Sequence, residues 1–368
     1  MFCNKNFINN KNLIRAIFIL FFSVTKAQEV KKEINPITFT CYIETFYSYD
    51  FNEPENHVRP NFIYNFNKHN ELNLNLGLAK VNYTKDNIRG NFAVMAGTYP
   101  QYNLATEQDL LQNIFEANIG LKISAKHNLW LDIGILPSHI GFESAIGKDC
   151  ANLTRSILAD NSPYYEAGVK IGYTANSEKW YLAAMYLNGW QRIQKIDGNQ
   201  TPAFGTQVTY KPSGKIVLNW STYFGNEQPD ITRKWRYFNN FYGQFKISEK
   251  TSLTTGFDIG SQQNSYKSKK YDTWFSPIII FQYKPTSKVQ LAARGEYYDD
   301  QNGVIIASGT PNGFETHGFS TNFDYLISNN AMFRIEVRNL TSKDGVFLKN
   351  GNATKSNTFL TTSLAIGF

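Results

Sequence analysis

The sequence predicts an all-β fold and, within that class, a transmembrane antiparallel β-barrel of sixteen strands, with eighteen as the alternative count. Three observations carry this reading. Apolar and polar residues alternate with period two from about residue 38 to the end of the chain. Short polar turns and longer connections follow one another in strict alternation, as antiparallel barrel strands require. No uncharged apolar run of about 18 residues is present, so helices cannot supply membrane spans.

The N-terminus comes first. Residues 1–27 have the layout of a secretory signal peptide. Lys5, Lys11 and Arg15 charge the leading segment, residues 16–24 (AIFILFFSV) form a short apolar core, and Thr25 and Ala27 precede a cleavage point before Gln28. Residues 28–37 are then expected to be a short periplasmic segment, and 38–368 the barrel. Removing 1–27 takes away Lys5, Lys11, Arg15 and Lys26 and no acid, so the net charge falls from +7 to +3. A basic nucleic-acid surface therefore loses its support, and no nucleic-acid partner is expected. Cys41 and Cys150 remain, too few for a disulfide scaffold, and the sequence leaves open whether they pair or, the plainer reading, are two unrelated thiols.

The strands follow from their alternation. Leu72, Leu74, Leu76 and Leu78 interleave with Asn73, Asn75, Gly77 and Ala79. Phe115, Ala117, Ile119, Leu121 and Ile123 interleave with Glu116, Asn118, Gly120 and Lys122. Phe333, Ile335 and Val337 interleave with Arg334, Glu336 and Arg338. Each segment thus has one apolar and one polar face. Only 106–112 (TEQDLLQ) suggests a short helical turn.

Short turns are expected at 67–71, 124–128, 175–178, 212–214, 248–251, 285–288 and 328–330. Longer connections are expected at about 51–60, 84–112, 137–163, 193–202, 225–234, 261–271, 299–313 and 341–356. Seven short and eight long connections join sixteen strands, one of them between residues 60 and 67, and leave both termini on the short-turn side. Residues 88–97 also read as a strand inside the second long connection, either as a loop hairpin or, with a partner, as a route to eighteen strands. Rings near strand ends (Tyr164, Tyr165, Trp180, Trp235, Tyr237, Tyr297) are expected to form interfacial belts. The last strand, 357–368, sets Thr358, Leu360, Thr362, Leu364, Ile366 and Phe368 on one face. Leu364, Ile366 and the terminal Phe368 read as the signal that hands such strands to barrel-assembly machinery.

Closing the sheet pairs every backbone group without an edge, which lipid demands. The inferred inward face carries Lys122, Lys170, Arg236, Lys246, Arg294, Arg334 and Arg338 against Glu116, Asp132, Glu166, Asp258, Glu296, Asp324 and Glu336. Charges of both signs argue for a hydrated interior, because an apolar plug would leave them unsolvated. Sixteen strands enclose enough room for water. The plainer reading is that these charges pair across neighbouring strands and fill space. The longest connection, 137–163, is the candidate constriction, with Glu143, Lys148, Asp149, Arg155 and Asp160 able to set a local field. The plainer reading of that loop is an exterior segment that never meets the pore. Arg236, Arg294, Glu296, Arg334, Glu336 and Arg338 complete the set of candidate pore residues.

The run ESAIGKDCANLTRSILADNSPYYEAGVKIGY (143–173), with WYLAAMYLNGWQRI (180–193) and TPAFGTQVTYKP (201–212), resembles the OmpL-like β-barrel porin family of Bacteroidota outer membranes. The resemblance covers most of the chain after residue 27 and is densest from about 114 to 225. It implies a porin-like protein of the cell outer membrane and brings no catalytic residues with it. Catalytic motifs are lacking: the sequence holds no GxSxG, HExxH, CxxC or GxxxxGK[ST]. His57, His69, His127, His139 and His317 are scattered, and the neighbours Ser138 and His139 do not make a nucleophile–base pair. No enzymatic activity, cofactor or metal is expected. The expected function is a channel for passive diffusion of small hydrophilic solutes, with Lys148, Arg155, Arg334 and Arg338 biasing ions. The alternative is a non-conducting barrel acting as a scaffold or surface-binding protein through its long loops. Expected partners are outer-membrane lipid, the solutes, the assembly machinery and further copies of the chain.

Overall fold

The structure, a computed structural model, describes residues 35–368. The expected signal peptide, and all but the last residues of the segment after it, lie outside the described residues. The first four strands are β1 (Ile37–Asp50), β2 (Leu72–Lys85), β3 (Ile88–Ala96) and β4 (Ile114–Lys122). β5 (Asn128–Pro137), β6 (Tyr165–Thr174), β7 (Trp180–Leu187) and β8 (Ala203–Ser213) follow. Then come β9 (Ile216–Asn226), β10 (Trp235–Lys246), β11 (Thr251–Gln263) and β12 (Tyr271–Tyr283). β13 (Val289–Asp300), β14 (Phe314–Leu326) and β15 (Ala331–Ser342) lead to a small hairpin, β16 (Phe347–Lys349) and β17 (Asn352–Thr354), and to β18 (Ser356–Gly367).

All strands but the small hairpin close one antiparallel barrel of sixteen, each pairing with its neighbour along the chain and β18 closing on β1 and β15. The seam runs in register from Tyr42 opposite Gly367 to Asp50 opposite Phe359. Phe368 itself is stitched in: its N–H donates to the Cys41 carbonyl at 2.9 Å and its carbonyl accepts from the Cys41 N–H at 2.6 Å. No helix among the described residues is long and apolar enough to cross a membrane. Cys41 and Cys150 are both free thiols.

The count of sixteen holds, but its membership differs from the sequence reading in two places. Residues 61–66 form no strand; the connection from β1 to β2 runs over 51–71, with Phe62, Ile63 and Phe66 buried. Six residues of alternating pattern cannot distinguish a strand from a loop that buries its rings. Residues 88–96, read as a loop hairpin or a source of eighteen strands, are instead a full barrel strand. It joins β2 through the two-residue turn Asp86–Asn87, pairing Lys85 with Ile88, with Asp86 at φ 54°. That turn lay hidden inside what reads as one long connection.

The faces obey the alternation along most of the wall, with departures at bulges. Ile119, Ile279, Phe319 and Leu364 point outward and are exposed, while Arg334, Glu336 and Arg338 alternate inward from Phe333 and Val337. In β2 the four leucines do not share a face. The β1–β2 register shifts at Glu44/Thr45, where Thr45 faces Leu74 and Glu44 faces Leu76, leaving Asn75 as the extra residue of a bulge. Leu72 is therefore exposed, whereas Leu76 and Leu78 are buried inside the barrel.

Rings form outward belts, though not with all the residues expected. At the long-loop end Phe224 contacts Trp235 and Tyr237, Tyr237 contacts Tyr271, and Phe275 contacts Tyr297. Trp180 and Tyr210 stack at the short-turn end. Tyr164 and Tyr165 belong to neither belt. Tyr165 is buried inside, and Tyr164 reaches into the interior with its hydroxyl 3.4 Å from Asp160.

The inward face also divides along the strands. Near the long-loop end it is apolar: Met185, Leu187, Tyr223, Phe238, Trp274 and Tyr298 form one core with Phe62 and Ile63 of the 51–71 loop, Ile306 and Phe347. The sequence reading of a uniformly wet interior fails there. Inward positions near these strand ends meet loops folded over them rather than water.

Candidate functional site

The 138–164 connection between β5 and β6 folds into the barrel. Its root is held by His139, whose Nδ1 lies 2.8 Å from the Glu166 carboxylate and whose Nε2 lies 2.8 Å from the Thr222 carbonyl on β9. Ser221 Oγ donates to the His139 carbonyl, and Gly141 N–H donates to Asn240 on β10. The tip, residues 147–150, then reaches β1, where the Lys148 N–H donates to the Tyr42 hydroxyl at 3.3 Å.

The return limb runs along β15, β14 and β13, across the barrel from its own root. Eight strands separate β6 from β15 on one side and six on the other. Arg334 donates from Nη1 to the Gly147 carbonyl at 2.6 Å and from Nη2 to those of Cys150 and Ala151. It is held by a two-pronged ion pair with Asp324, at 2.7 and 3.0 Å. Arg294 donates to the Thr154 carbonyl at 2.7 Å and to Glu336 at 2.9 Å. Glu336 accepts the Thr154 N–H, and Glu296 accepts the Ile157 N–H at 2.7 Å. Arg338 donates to the Arg155 carbonyl at 2.8 Å and pairs with Glu296 at 2.6 Å. A segment of only four helical residues, Ile157–Asp160, follows Ser156, whose hydroxyl caps it by accepting the Ala159 N–H.

The candidate residues therefore divide in a way their sequence positions did not show. Arg294, Glu296, Arg334, Glu336 and Arg338 come together, but beneath the loop, buried and spent on its backbone. The expectation that Arg334 and Arg338 face a wet bore is corrected by this geometry. Arg155 is buried too, donating from Nε to the Ser144 carbonyl and from Nη1 to that of Leu153, both at 2.6 Å, so it knits the loop to itself. Glu143 accepts from the Ser156 hydroxyl and lies 3.9 Å from Arg294. Burial raises its carboxyl above the usual range, against the pull of Arg294. Asp160 accepts from Asn65 of the 51–71 loop at 2.6 Å, and burial pushes it up to about 7. Lys148 and Asp149 alone among the loop's charges are exposed, paired with each other at 2.7 Å. Arg236 stands apart, bonded to Gln262 and lying near the Trp190 and Trp274 rings.

On β2 to β6 part of the inward charge keeps exposed surface. Here Lys80 pairs with Glu116 at 2.5 Å, Arg89 grips Asp132 with two bonds of 2.8 and 2.7 Å, and Lys170 lies 3.7 Å from the same Asp132. The cations are the more accessible partners: side-chain exposure is 25% for Lys80, 34% for Arg89 and 21% for Lys170, against 5% for Glu116 and 3% for Asp132. The sequence reading missed Lys80 and Arg89. Arg89 sits on β3, whose strand pattern at 88–97 was the available signal. Lys80 sits beyond the bulge that reversed β2. Among the described residues no group of His, Cys, Asp or Glu could hold a metal ion.

The closed barrel matches proteins of known structure. The barrel resembles the trimer form of OmpT of Vibrio cholerae, with a TM-score of 0.58 and 11% identity, over 90% of this chain and 99% of that one. An anion-selective porin from Comamonas acidovorans superposes with a TM-score of 0.60 and 10% identity, over 90% and 99%. The outer-membrane channel DcaP of Acinetobacter baumannii gives 0.57 and 12%, over 90% and 97%. At such identities these likenesses speak for the fold. No curated protein matches the chain. The sequence model of the family described as "Putative beta-barrel porin-2, OmpL-like" matches residues 36–368, the entire barrel. The chain belongs to that family and is a porin of the outer membrane.

Proposed function

We propose that the barrel passes small hydrophilic solutes by diffusion along the β2–β6 wall, with the 138–164 loop as the constriction and with a preference for anions. The observation that carries the selectivity is the unequal exposure on that wall. Lys80, Arg89 and Lys170 offer charge to water, while Glu116 and Asp132 are nearly covered. Lys122, also inward and half-buried, adds a fourth cation against Glu116, Asp132 and Glu166, so the wall is net positive. A charged ring near the path of an ion selects by sign, and covered carboxylates act on it less than exposed ammonium groups do. No covalent chemistry is assigned to the barrel.

Recordings in planar bilayers under a potassium chloride gradient test this. The expected result is an ohmic current whose reversal potential has the sign of chloride preference, abolished or reversed in Lys80→Glu/Arg89→Glu. Cation preference in the native protein overturns the selectivity. Silence, both in the native chain and after removal of residues 143–156, overturns conduction itself.

The apolar packing of Phe62, Trp274, Phe314 and Phe359 near the long-loop end supports a second reading, a closed barrel serving as a scaffold. Liposome swelling with sugars of rising size separates the two, since a scaffold gives none. The C-terminal strand supports delivery by barrel-assembly machinery: Leu364, Ile366 and Phe368 are exposed on the outer face, where such a factor could read them.

A further inference from the structure

A cavity of about 620 Å³ lies at the long-loop rim, between the 51–71 loop, the β16–β17 hairpin and the strand ends at Asp50 and Asn357. Its size falls within the range of small-molecule sites, roughly 300–1,000 Å³. Arg59, fully buried, forms part of its wall. One nitrogen of Arg59, Nη1, donates to the Phe66 carbonyl at 3.2 Å, and its Cζ lies 3.3 Å from the centre of the Phe359 ring. The other two, Nε and Nη2, make no hydrogen bond.

The neighbouring carboxylate does not satisfy them. Asp50 Oδ2 forms an ion pair with Nε at 3.8 Å, too long for a hydrogen bond, while Oδ1 accepts from Asn357 at 2.7 Å and from the Asn52 N–H at 2.9 Å. The Oδ1 atoms of Asn67 and Asn357, both cavity residues, likewise accept nothing. A buried guanidinium with two idle donors carries a large desolvation penalty that an external acceptor would offset. A carboxylate fits best, because its two oxygens match the guanidinium fork.

The rest of the lining narrows the ligand. Val58, Ile63, Tyr102, Val346 and Leu348 make much of the wall apolar. Glu53 and Glu55 are exposed and line the same cavity. From this arrangement we infer that the cavity binds small zwitterions with an apolar body, amino acids or dipeptides. The carboxylate meets Arg59, the ammonium meets Glu53 or Glu55, and the side chain lies against Val346 and Leu348. A neutral sugar would leave the cation and both acids without purpose. This capture site is separate from the β2–β6 wall, and its occupancy does not depend on whether the barrel conducts.

Isothermal titration calorimetry of the intact barrel in detergent tests it, with alanyl-leucine, the same dipeptide blocked at both ends, and maltose. Alanyl-leucine is expected to bind saturably, and the blocked peptide about tenfold or more weakly, a loss of about 1.4 kcal/mol. The Glu53→Gln/Glu55→Gln and Leu348→Ser variants, altered only at exposed positions, are each expected to weaken it by about tenfold. Arg59→Gln is expected to abolish binding while the barrel still resists heat on gels. If Arg59→Gln does not fold, the exposed variants decide alone. The inference is overturned by any of three results: no binding of alanyl-leucine at millimolar concentration, equal affinity for the blocked peptide or a preference for maltose, or unchanged affinity in the exposed variants.

Discussion

Arg334 shows how one residue is committed by its surroundings. Its guanidinium holds Asp324 on one side and three loop carbonyls on the other, with no exposed surface. Removing one partner of a buried charge pair leaves the other uncompensated, which costs about 3–5 kcal/mol. Arg334→Ala is therefore expected to lower barrel stability by that order in urea titrations and to raise single-channel conductance as the loop loosens. Unchanged conductance would show that the loop is held elsewhere.

Two titrating groups in the same loop share a direction. Burial opposes a charge on His139, but Glu166 beside one ring nitrogen and the Thr222 carbonyl beside the other raise its pKa above the usual value of 6.5. Lys170 pulls the other way. Asp160 is raised from 3.8 to about 7 by burial, against Asn65, Arg338 and Arg155 and with Glu143 reinforcing the rise. Each group binds its proton more tightly docked than free. Docking supported by Asp160 thus declines as pH rises from about 4 to about 7. That supported by His139 is complete below 6.5 and is lost as pH passes its raised pKa. The rate of loop cleavage by an added protease is expected to climb between mildly acidic and mildly alkaline pH, and Asp160→Asn should flatten the acidic part of that rise.

At the scale of elements, the root of the inward loop depends on backbone shapes that glycine supplies. Gly134 on β5 and Gly168 on β6 face each other across the pair, at φ 132° and 158°. A methyl on Gly168 would overlap the Tyr186 carbonyl, and one on Gly134 that of Ala117, both backbone atoms that cannot turn aside. Gly168→Ala is expected to cost on the order of 1–3 kcal/mol, visible as a lower melting temperature of the heat-resistant band on gels. The bulge at Asn75 has a different logic. Deleting that residue makes Thr45–Leu74 and Glu44–Leu76 successive pairs of a regular ladder, so Leu72 and Leu74 stay outward, Leu76 stays inward and only the bulge is lost.

For the whole molecule, the decisive property is a ring of strands with no free edge and an exposed apolar exterior. Ile279, at the middle of β12, is half exposed on that surface. Ile279→Arg is expected to destabilise the barrel by about 2–4 kcal/mol in lipid vesicles, the penalty for a cation at bilayer mid-depth. The same substitution at exposed Leu348 in the rim hairpin should change stability little. If both behave alike, the outer face does not meet hydrocarbon.

The sequence by itself determined the class, the strand count, the position of the loop ends and most inward and outward assignments, because these are local. Period two is a property of neighbouring residues, and Phe333 to Arg338 can be sorted without knowing what lies across the barrel. It failed at 61–66, at 88–96 and after Asn75, where a few residues of pattern fit two local structures equally well. Only the tertiary structure decided what the charges do. Arg294, Arg334 and Arg338 read the same on paper as Lys80 and Arg89, yet a loop from the opposite wall covers the first set and spares the second. The reason is physical: a side chain's worth to a passing ion depends on whether water reaches it, and that is set by residues some hundred and eighty positions away.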